Sequence, residues 1–139
     1  MPRITPERLD EIFAHLPFAA ALRPELIEAE GGRARLRLPF TSTLVRPGGT
    51  IAGPFMMGFA DFVMYVAVIT VVPDGVDAVT SNLTMNFLRR PGQTPLVAEG
   101  RILRLGKRLA FGEVELFSEG DSDMVAHATC TYALPGKRE

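Results

Sequence analysis

The sequence predicts an α+β domain in which an antiparallel sheet of about five strands wraps around one long central helix. An apolar run over residues 51–72 contains a single charged residue, Asp61. Four segments that follow this run alternate apolar and polar residues and are separated by short turn signals, which is typical of antiparallel strands. A fifth alternating segment, Arg33–Pro39, precedes it.

The composition limits the classes of function. A chain of 139 residues forms one domain, residues 1–139, and its 47% hydrophobic and 22% charged residues exclude global disorder. A net charge of −1 provides no positive field for nucleic acid. One cysteine, Cys130, and two histidines far apart in sequence predict neither a disulfide nor a metal site, and no cofactor is expected. Because the N-terminus has no apolar signal segment, we expect a cytoplasmic protein.

The first elements are a helix and a strand. Residues 5–16 carry an apolar stripe with helical spacing, Thr5 is suited to cap the helix and Pro6 to begin it. Pro17 is expected to stop the helix. A turn at Glu30–Gly32 then leads into the strand Arg33–Pro39, and residues 40–50 are expected to form a loop.

The central helix is predicted over about residues 53–72, with Pro54 in its first turn and a stop signal at Pro73–Gly75. The run is long enough to span a bilayer, but Gly58, Asp61 and an acidic C-terminal flank favour a buried helix and no membrane contact. The helix is apolar on all sides, and one sheet covers only part of it. We therefore predict that a second copy covers the rest, as a homodimer.

Four strands are expected to follow the central helix as a meander, in which each strand pairs with the next along the chain. Turn signals at Pro91–Gln93, Gly106–Arg108 and Glu119–Asp121 separate them. The predicted strands are Asp77–Arg89, Leu96–Leu105, Leu109–Ser118 and Met124–Leu134.

Asp61 is the main candidate for chemistry. A carboxylate in an apolar helix needs partners or a raised pKa, and in a cleft it suits the role of general base or nucleophile. The alternative is a structural aspartate bonded to a neighbouring strand or subunit. Gly58, three residues earlier on the same helix face, leaves space beside Asp61.

Other candidates surround this helix in sequence. The glycine-rich loop Arg46–Pro54 leads to the helix N-terminus, where free N–H groups can hold a carbonyl oxygen or an anion. Thr80 and Asn82 are expected on one face of their strand, within reach of a ligand. Basic residues near strand ends could hold phosphates or form a solvated rim, namely Arg89, Arg90, Arg104, Lys107 and Arg108. Cys130 and His127 are interpreted as structural.

Several motifs in order resemble the PaaI-like family of acyl-CoA thioesterases, which have the hot-dog fold. In that family a His-Gly-Gly segment opens the central helix and a Leu-Ala-Asp segment follows. Here Ala52-Gly53-Pro54 and Phe59-Ala60-Asp61 stand at those positions. Residues 79–91, 103–108 and 124–129 resemble the family's later strands.

The resemblance implies an acyl-CoA thioesterase that is a symmetric dimer, often paired into a tetramer, with active sites at the subunit interface. Asp61 would activate water or attack the thioester carbonyl, and the N–H of Gly53 on the partner chain would polarise the carbonyl oxygen. The CoA phosphates would contact the basic residues Arg89, Arg90, Lys107 and Arg108. The full set of substrate-binding candidates is Arg46, Ala52, Pro54, Met57, Gly58, Thr80, Asn82, Arg89, Arg90, Lys107 and Arg108.

The chain departs from the family pattern at three positions, which keeps two interpretations open. Ala52 replaces the family's His, Pro54 its second Gly, and Arg46 an Asn that often lies six residues before the His. The chain is therefore either a variant thioesterase or a non-catalytic acyl-CoA-binding or regulatory module. Arg46 could contact CoA phosphates or pair with Asp61. A hot-dog dehydratase needs a His/Asp pair, and His127 falls on the wrong element for it.

The acyl group is expected to be hydrophobic. An apolar, methionine-rich wall on the central helix supports this expectation. It consists of Phe55, Met56, Met57, Phe59 and Met64.

Overall fold

The computed structural model describes residues 4–72 and 75–136. Within these ranges the chain forms three α-helices and six strands, with short 3-10 turns at Ser42–Leu44 and Gly75–Asp77. The order is α1 (Pro6–Phe13), α2 (Pro17–Leu22), β1 (Glu25–Glu30), β2 (Arg33–Leu38), α3 (Gly53–Ile69), β3 (Val79–Phe87), β4 (Leu96–Leu105), β5 (Leu109–Ser118) and β6 (Met124–Ala133).

All six strands form one antiparallel sheet in the order β1-β2-β4-β5-β6-β3. This confirms the predicted class of an antiparallel sheet packed on a long central helix. The predicted meander is wrong for β3, which pairs with β6 and forms the far edge of the sheet. The segment 88–95 carries the chain from β3 at this edge to β4 inside the sheet, and the Gly92 N–H donates to the Ser118 hydroxyl along that path. Its Pro91-Gly92 signal marks a crossing connection and not a tight hairpin.

The sheet has six strands where about five were expected, because β1 lacks a clear alternation of apolar and polar residues. A bulge between Leu26 and Glu28 shifts its register on β2, so the apolar pattern changes face within the strand. The predicted turn at Glu30–Gly32 is confirmed. Gly31 and Gly32 have φ values of 62° and 82°, a conformation that glycine adopts at little cost.

The N-terminal segment forms two short helices where one helix was expected. The Thr5 side chain accepts a hydrogen bond from the Arg8 N–H, which confirms the predicted cap. α1 ends at Phe13, before the expected residue 16. Pro17 stands at the first position of α2, so it begins a second helix as well as ending the first.

The central helix α3 is slightly shorter than the predicted 53–72. Its C-cap is Thr70, whose hydroxyl donates to the Ala67 carbonyl at 2.6 Å and accepts from the Gly32 N–H at 2.8 Å. The side chain thus ends the helix and attaches it to the turn between β1 and β2. Pro73 and Asp74 of the expected stop signal lie outside the described residues. No helix in the described ranges is both long and apolar enough to cross a bilayer.

α3 packs along the inner face of the sheet, where glycines let it approach closely. A β-carbon at Gly100 would lie 2.9 Å from Val63, and one at Gly112 would overlap the Arg101 carbonyl and Met64. On its other side α3 contacts α1 and α2, as in the Phe13–Phe62 ring pair at 5.3 Å. The N-terminal helices therefore cover part of the helix surface that we had assigned to a second copy.

Candidate active site

Asp61 lies in the middle of α3, where its half-buried carboxylate meets β3 and β6. The Tyr132 hydroxyl is 2.6 Å from Asp61 Oδ1 and 2.8 Å from the Asp61 carbonyl oxygen, and donates toward both. The Thr80 hydroxyl donates to the same Oδ1 at 2.8 Å. Thr80 and Tyr132 are paired across β3 and β6, so the sheet places their hydroxyls side by side. Two neutral donors thus fix one oxygen of the carboxylate.

The other carboxylate oxygen, Asp61 Oδ2, has no protein donor among residues 4–72 and 75–136. Burial, and then the charge of Asp61, raises the pKa of Tyr132, so its hydroxyl remains a donor at neutral pH. An oriented carboxylate with one free oxygen can take a proton from water or attack a carbonyl carbon.

A mainly apolar cleft of about 530 Å³ opens beside this carboxylate. One wall comes from α2 and the residue before it, Leu16. The other comes from α3, the segment that leads into β3, the start of β3 and the end of β6. This volume lies in the range of small-ligand sites. The lining residues are Leu16, Phe18, Ala19, Gly58, Asp61, Phe62, Tyr65, Val76, Asp77, Ala78, Val79, Thr80 and Tyr132.

Gly58 lines the cleft next to Asp61, as predicted, but the space above it is occupied. The Phe18 ring lies directly against it, and a β-carbon on residue 58 would overlap that ring. Phe18 itself is 54% exposed. The absence of a side chain at position 58 therefore brings α2 against α3.

The glycine-rich loop before α3 is held by its own backbone. The Arg46 N–H donates to the Thr50 carbonyl at 2.8 Å, and Gly48 and Gly49 have φ values of 108° and 87°. Ala52 caps α3 without a side-chain hydrogen bond, and Pro54 provides no N–H. The first N–H that the helix offers to a ligand is that of Gly53.

Gly53 and Asp61 lie at different places along α3. Their eight-residue separation corresponds to about 12 Å of helix. Gly53 lies next to the Phe87 ring, at the end of β3, whereas Asp61 is bonded to Thr80 near its start. Within one chain these two groups are too far apart to act on the same carbonyl.

Four of the predicted basic residues lie in two places: Arg89 and Arg90 follow the end of β3, and Lys107 and Arg108 lie near its start. Arg90 donates to the Gly48 carbonyl, which places it beside Arg46 near the start of α3. Arg89 forms an ion pair with Asp123 at 2.7 Å. Lys107 and Arg108 lie in the turn between β4 and β5, at the end of the sheet where β3 begins.

No ion pair joins Arg46 to Asp61 in the described residues. The carboxylate partners are instead the two hydroxyls named above.

The expectation that Asn82 shares a strand face with Thr80 is wrong. The register shifts between them, so Thr80 opposes Tyr132 while Asn82 opposes Thr131, and adjacent residues of β6 point to opposite faces. Asn82 therefore lies on the outer face of the sheet, where its side-chain oxygen accepts from the Thr84 hydroxyl at 3.3 Å.

The expected methionine-rich acyl wall is mostly core. Met56, Phe59 and Met64 are buried among the core residues. Met57 is 39% exposed and is not among the cleft residues. The helix has apolar residues on all sides, so composition alone did not indicate which of them face the cleft.

On the outer face of the sheet, His127 has a partner that the sequence did not reveal. Its Nε2 lies 2.9 Å from Glu113 Oε1, and the Arg101 guanidinium contacts Glu113 Oε2 at 2.7 Å. Hydrogen bonds from His127 and then Arg101 lower the pKa of Glu113. No cluster of three or more His, Cys, Asp or Glu side chains suited to a metal occurs in the described part of the chain.

Sequence reasoning did not identify Tyr132 and Phe18 as site residues. The alternation of β6 correctly placed Tyr132 and Cys130 on the buried face. The contact of Tyr132 with Asp61 depends on the pairing of β3 with β6, which the predicted meander excluded. Phe18 lies in a helix that was not expected.

The comparisons with known proteins agree with this architecture. The family model of the thioesterase superfamily matches residues 48–133. A Saccharolobus solfataricus protein named "Putative esterase SSO2140" is 32% identical over 92% of this chain and 86% of its own length.

Two solved structures are informative. A Ralstonia eutropha structure titled "putative thioesterase, phenylacetic acid degradation-related protein" is 25% identical with a TM-score of 0.77, covering 86% of this chain and 90% of that one. A Streptococcus mutans protein solved bound to acetyl CoA has 21% identity and a TM-score of 0.74, covering 84% and 91%. The resemblance to PaaI-like proteins is thereby confirmed, and the chain belongs to the thioesterase superfamily with the hot-dog fold.

Proposed function

We propose that the protein hydrolyses a CoA thioester of a hydrophobic acyl group, with Asp61 as general base or nucleophile. The observation that carries the proposal is the Asp61 carboxylate itself, which lines a mainly apolar cleft. Its Oδ1 is fixed by Thr80 and Tyr132, and its Oδ2 accepts no hydrogen bond from the described residues. Membership of the thioesterase superfamily and the acetyl CoA bound to the Streptococcus mutans protein support the substrate class.

Two chemical routes fit this carboxylate. As a base, Asp61 Oδ2 accepts a proton from water, and the water oxygen attacks the thioester carbonyl carbon. The C–S bond then breaks, and CoA leaves as a thiolate that takes up a proton. As a nucleophile, Oδ2 attacks the carbonyl itself, CoA leaves, and water hydrolyses the resulting anhydride. Both routes yield a carboxylic acid and CoA.

The oxyanion donor is proposed to come from a second copy of the chain. β3 is an edge strand whose exposed side chains include Val79 at its start and Phe87 at its end. Antiparallel pairing of two β3 edges across a two-fold axis would bring the start of one strand to the end of the other. Asp61 of one copy would then lie near Gly53 of the other, so the homodimer completes the site.

The same arrangement would place two pairs of basic residues around each site, one pair from each chain. Arg46 and Arg90 lie at the Gly53 end of their own chain, so in the dimer they would flank the partner's Asp61. Lys107 and Arg108 lie at the Asp61 end of the sheet, so they would approach the site from the chain that provides Asp61. These four cations are our candidates for the CoA phosphates, whereas Arg89 is already paired with Asp123.

The first test is thiol release from butyryl-, octanoyl-, palmitoyl- and benzoyl-CoA by the native protein and by Asp61→Asn. We expect turnover by the native protein and a loss of about 10²–10⁴-fold in kcat in the variant, because Asn cannot accept the proton or attack the carbonyl. The matched control is Glu113→Gln, which neutralises a carboxylate on the outer face of the sheet.

Full activity in Asp61→Asn would refute the role of Asp61. If a folded native protein binds acyl-CoA but turns over none of the four substrates, the non-catalytic binding module is the correct function. The replacement of the family's His by Ala52 and of its second Gly by Pro54 would be the first cause to examine.

The shared site is tested by combining two inactive chains. Gly53→Pro removes the proposed N–H donor, and the extended backbone of Ala52 is compatible with a following proline. Co-refolded Gly53→Pro and Asp61→Asn chains should regain about a quarter of the native rate, because half of the dimers are mixed and each holds one intact site. Gly53→Ala keeps the N–H and should lose far less activity. No recovery in mixed dimers would contradict a site shared between Asp61 of one chain and Gly53 of the other.

A further inference from the structure

The wall of the cleft opposite the β3 segment depends on one short helix. Ala19 and Leu22, three positions apart on α2, are each 3% exposed and anchor the helix to the core. Pro17 begins the helix, and Arg23 ends it with a left-handed φ of 53°. Phe18 is not one of these two buried residues, and its ring lies against Gly58 of α3.

The Phe18 ring lies on Gly58, one helical turn from Asp61. The ring is half exposed, and it lies against α3 at Gly58. It therefore closes the cleft on the side of α2, close to the carboxylate that would attack the thioester or activate the water. An acyl chain that leaves Asp61 in this direction meets Phe18 before it reaches solvent.

The charges of the cleft restrict the acyl group as well. The lining residues include two carboxylates, Asp61 and Asp77, and no Lys or Arg among the described residues. A second carboxylate at the end of the acyl group would be repelled and would lose hydration without a partner. The other lining side chains are largely apolar and suit an uncharged hydrocarbon.

We propose that Phe18 determines the acyl length that this protein accepts, and that the substrate class is uncharged acyl groups short enough to fit between Asp61 and the Phe18 ring. This inference rests on the proposed function, since it places the acyl group of the thioester in the cleft beside Asp61. It assigns to α2 a role in specificity and leaves the chemical step to Asp61.

The test compares kcat/KM for butyryl-, octanoyl-, palmitoyl- and succinyl-CoA in the native protein and in Phe18→Ala. Removal of the ring should raise the ratio of palmitoyl to butyryl activity by about tenfold or more, because apolar pockets discriminate by this amount for small differences in chain length. Succinyl-CoA should be the poorest substrate of both proteins. Ile27→Ala, which removes an exposed apolar side chain from β1, should leave the ratio unchanged.

A second pair of variants tests the contact itself. Gly58→Ala adds a methyl group where the ring lies, so the ring must move and the length profile should change. In the Phe18→Ala background the same methyl group meets no ring, so Gly58→Ala should then have little further effect. Equal effects of Gly58→Ala in both backgrounds would contradict the contact as the cause.

The outcomes separate this inference from the proposed function. Turnover with an unchanged length ratio in Phe18→Ala overturns the inference and leaves the function intact. If the native protein has no turnover, the proposed function fails. Calorimetry then measures Kd for intact palmitoyl-CoA and butyryl-CoA, and the ratio of the two values is compared between the native protein and Phe18→Ala. A Kd ratio that responds to Phe18→Ala by about tenfold supports the inference for a binding protein, and an unchanged ratio or no binding overturns it.

Discussion

Two carboxylates lie on opposite sides of the same sheet, and their partners differ in charge. Asp61, on the inner side, is held by the neutral hydroxyls of Thr80 and Tyr132. Glu113, on the outer face, is held by Arg101 and His127. Both are hydrogen-bonded, so the presence of partners does not by itself distinguish a functional carboxylate from a structural one.

The two carboxylates differ in whether one of their oxygens remains free of hydrogen bonds. Arg101 contacts one oxygen of Glu113 and His127 the other, so both oxygens are used and the charge is balanced by at least one cation. Asp61 has no cation partner among the described residues, and of its two carboxylate oxygens only Oδ1 accepts from the two hydroxyls. Neutral donors orient a base while leaving its second oxygen free, which is what proton abstraction requires.

The largest effect that this comparison predicts, beyond loss of Asp61 itself, is that of Tyr132→Phe. The variant keeps the ring and removes the hydroxyl that fixes Asp61 Oδ1. We expect kcat to fall by about 10–100-fold with KM little changed, because a hydrogen bond to a charged group contributes about 1.5–3 kcal/mol. Steady-state kinetics on the best CoA thioester measures this, with thermal unfolding as the check on folding.

Thr80 provides the internal control for Tyr132, because it bonds the same oxygen. Thr80→Val should lower kcat less than Tyr132→Phe, since the Tyr132 hydroxyl also faces the Asp61 carbonyl, and Thr80→Ser should restore most of the activity. If Tyr132→Phe instead raises KM and leaves kcat unchanged, the hydroxyl binds substrate and does not position Asp61.

The sequence was sufficient for those features that local pattern determines. The apolar run located α3 and singled out Asp61, Thr5 marked the first cap, and alternation identified β2 and the four later strands. Each of these signals arises from neighbours in the chain, through helical spacing, capping or the two-residue period of a strand.

The features that were missed depend on contacts between distant segments. A bulge at Ile27 concealed β1, and a bulge at Ser81 moved Asn82 to the face opposite that of Thr80. The bonds from Thr80 and Tyr132 to Asp61 require β3 to pair with β6, which no turn signal encodes. The position of Phe18 on Gly58 likewise depends on how α2 packs against α3.

The smallest predicted effect belongs to the outer carboxylate. The pKa of Glu113 is lowered in the folded protein, so this group stabilises the fold at pH values above the usual carboxyl range, near 4.3, and the contribution is lost as the pH falls through the lowered value. Glu113→Gln should therefore reduce stability at pH 7 by about 0.5–1 kcal/mol and by less at pH 3. Thermal unfolding at both pH values measures the difference, with the exposed Glu99→Gln as the control.

Turnover of Glu113→Gln should stay within about twofold of native, because Glu113 faces away from the cleft and its charge is already balanced. A loss of activity as large as that of Asp61→Asn would overturn the distinction between the two carboxylates and move the catalytic site to the outer face.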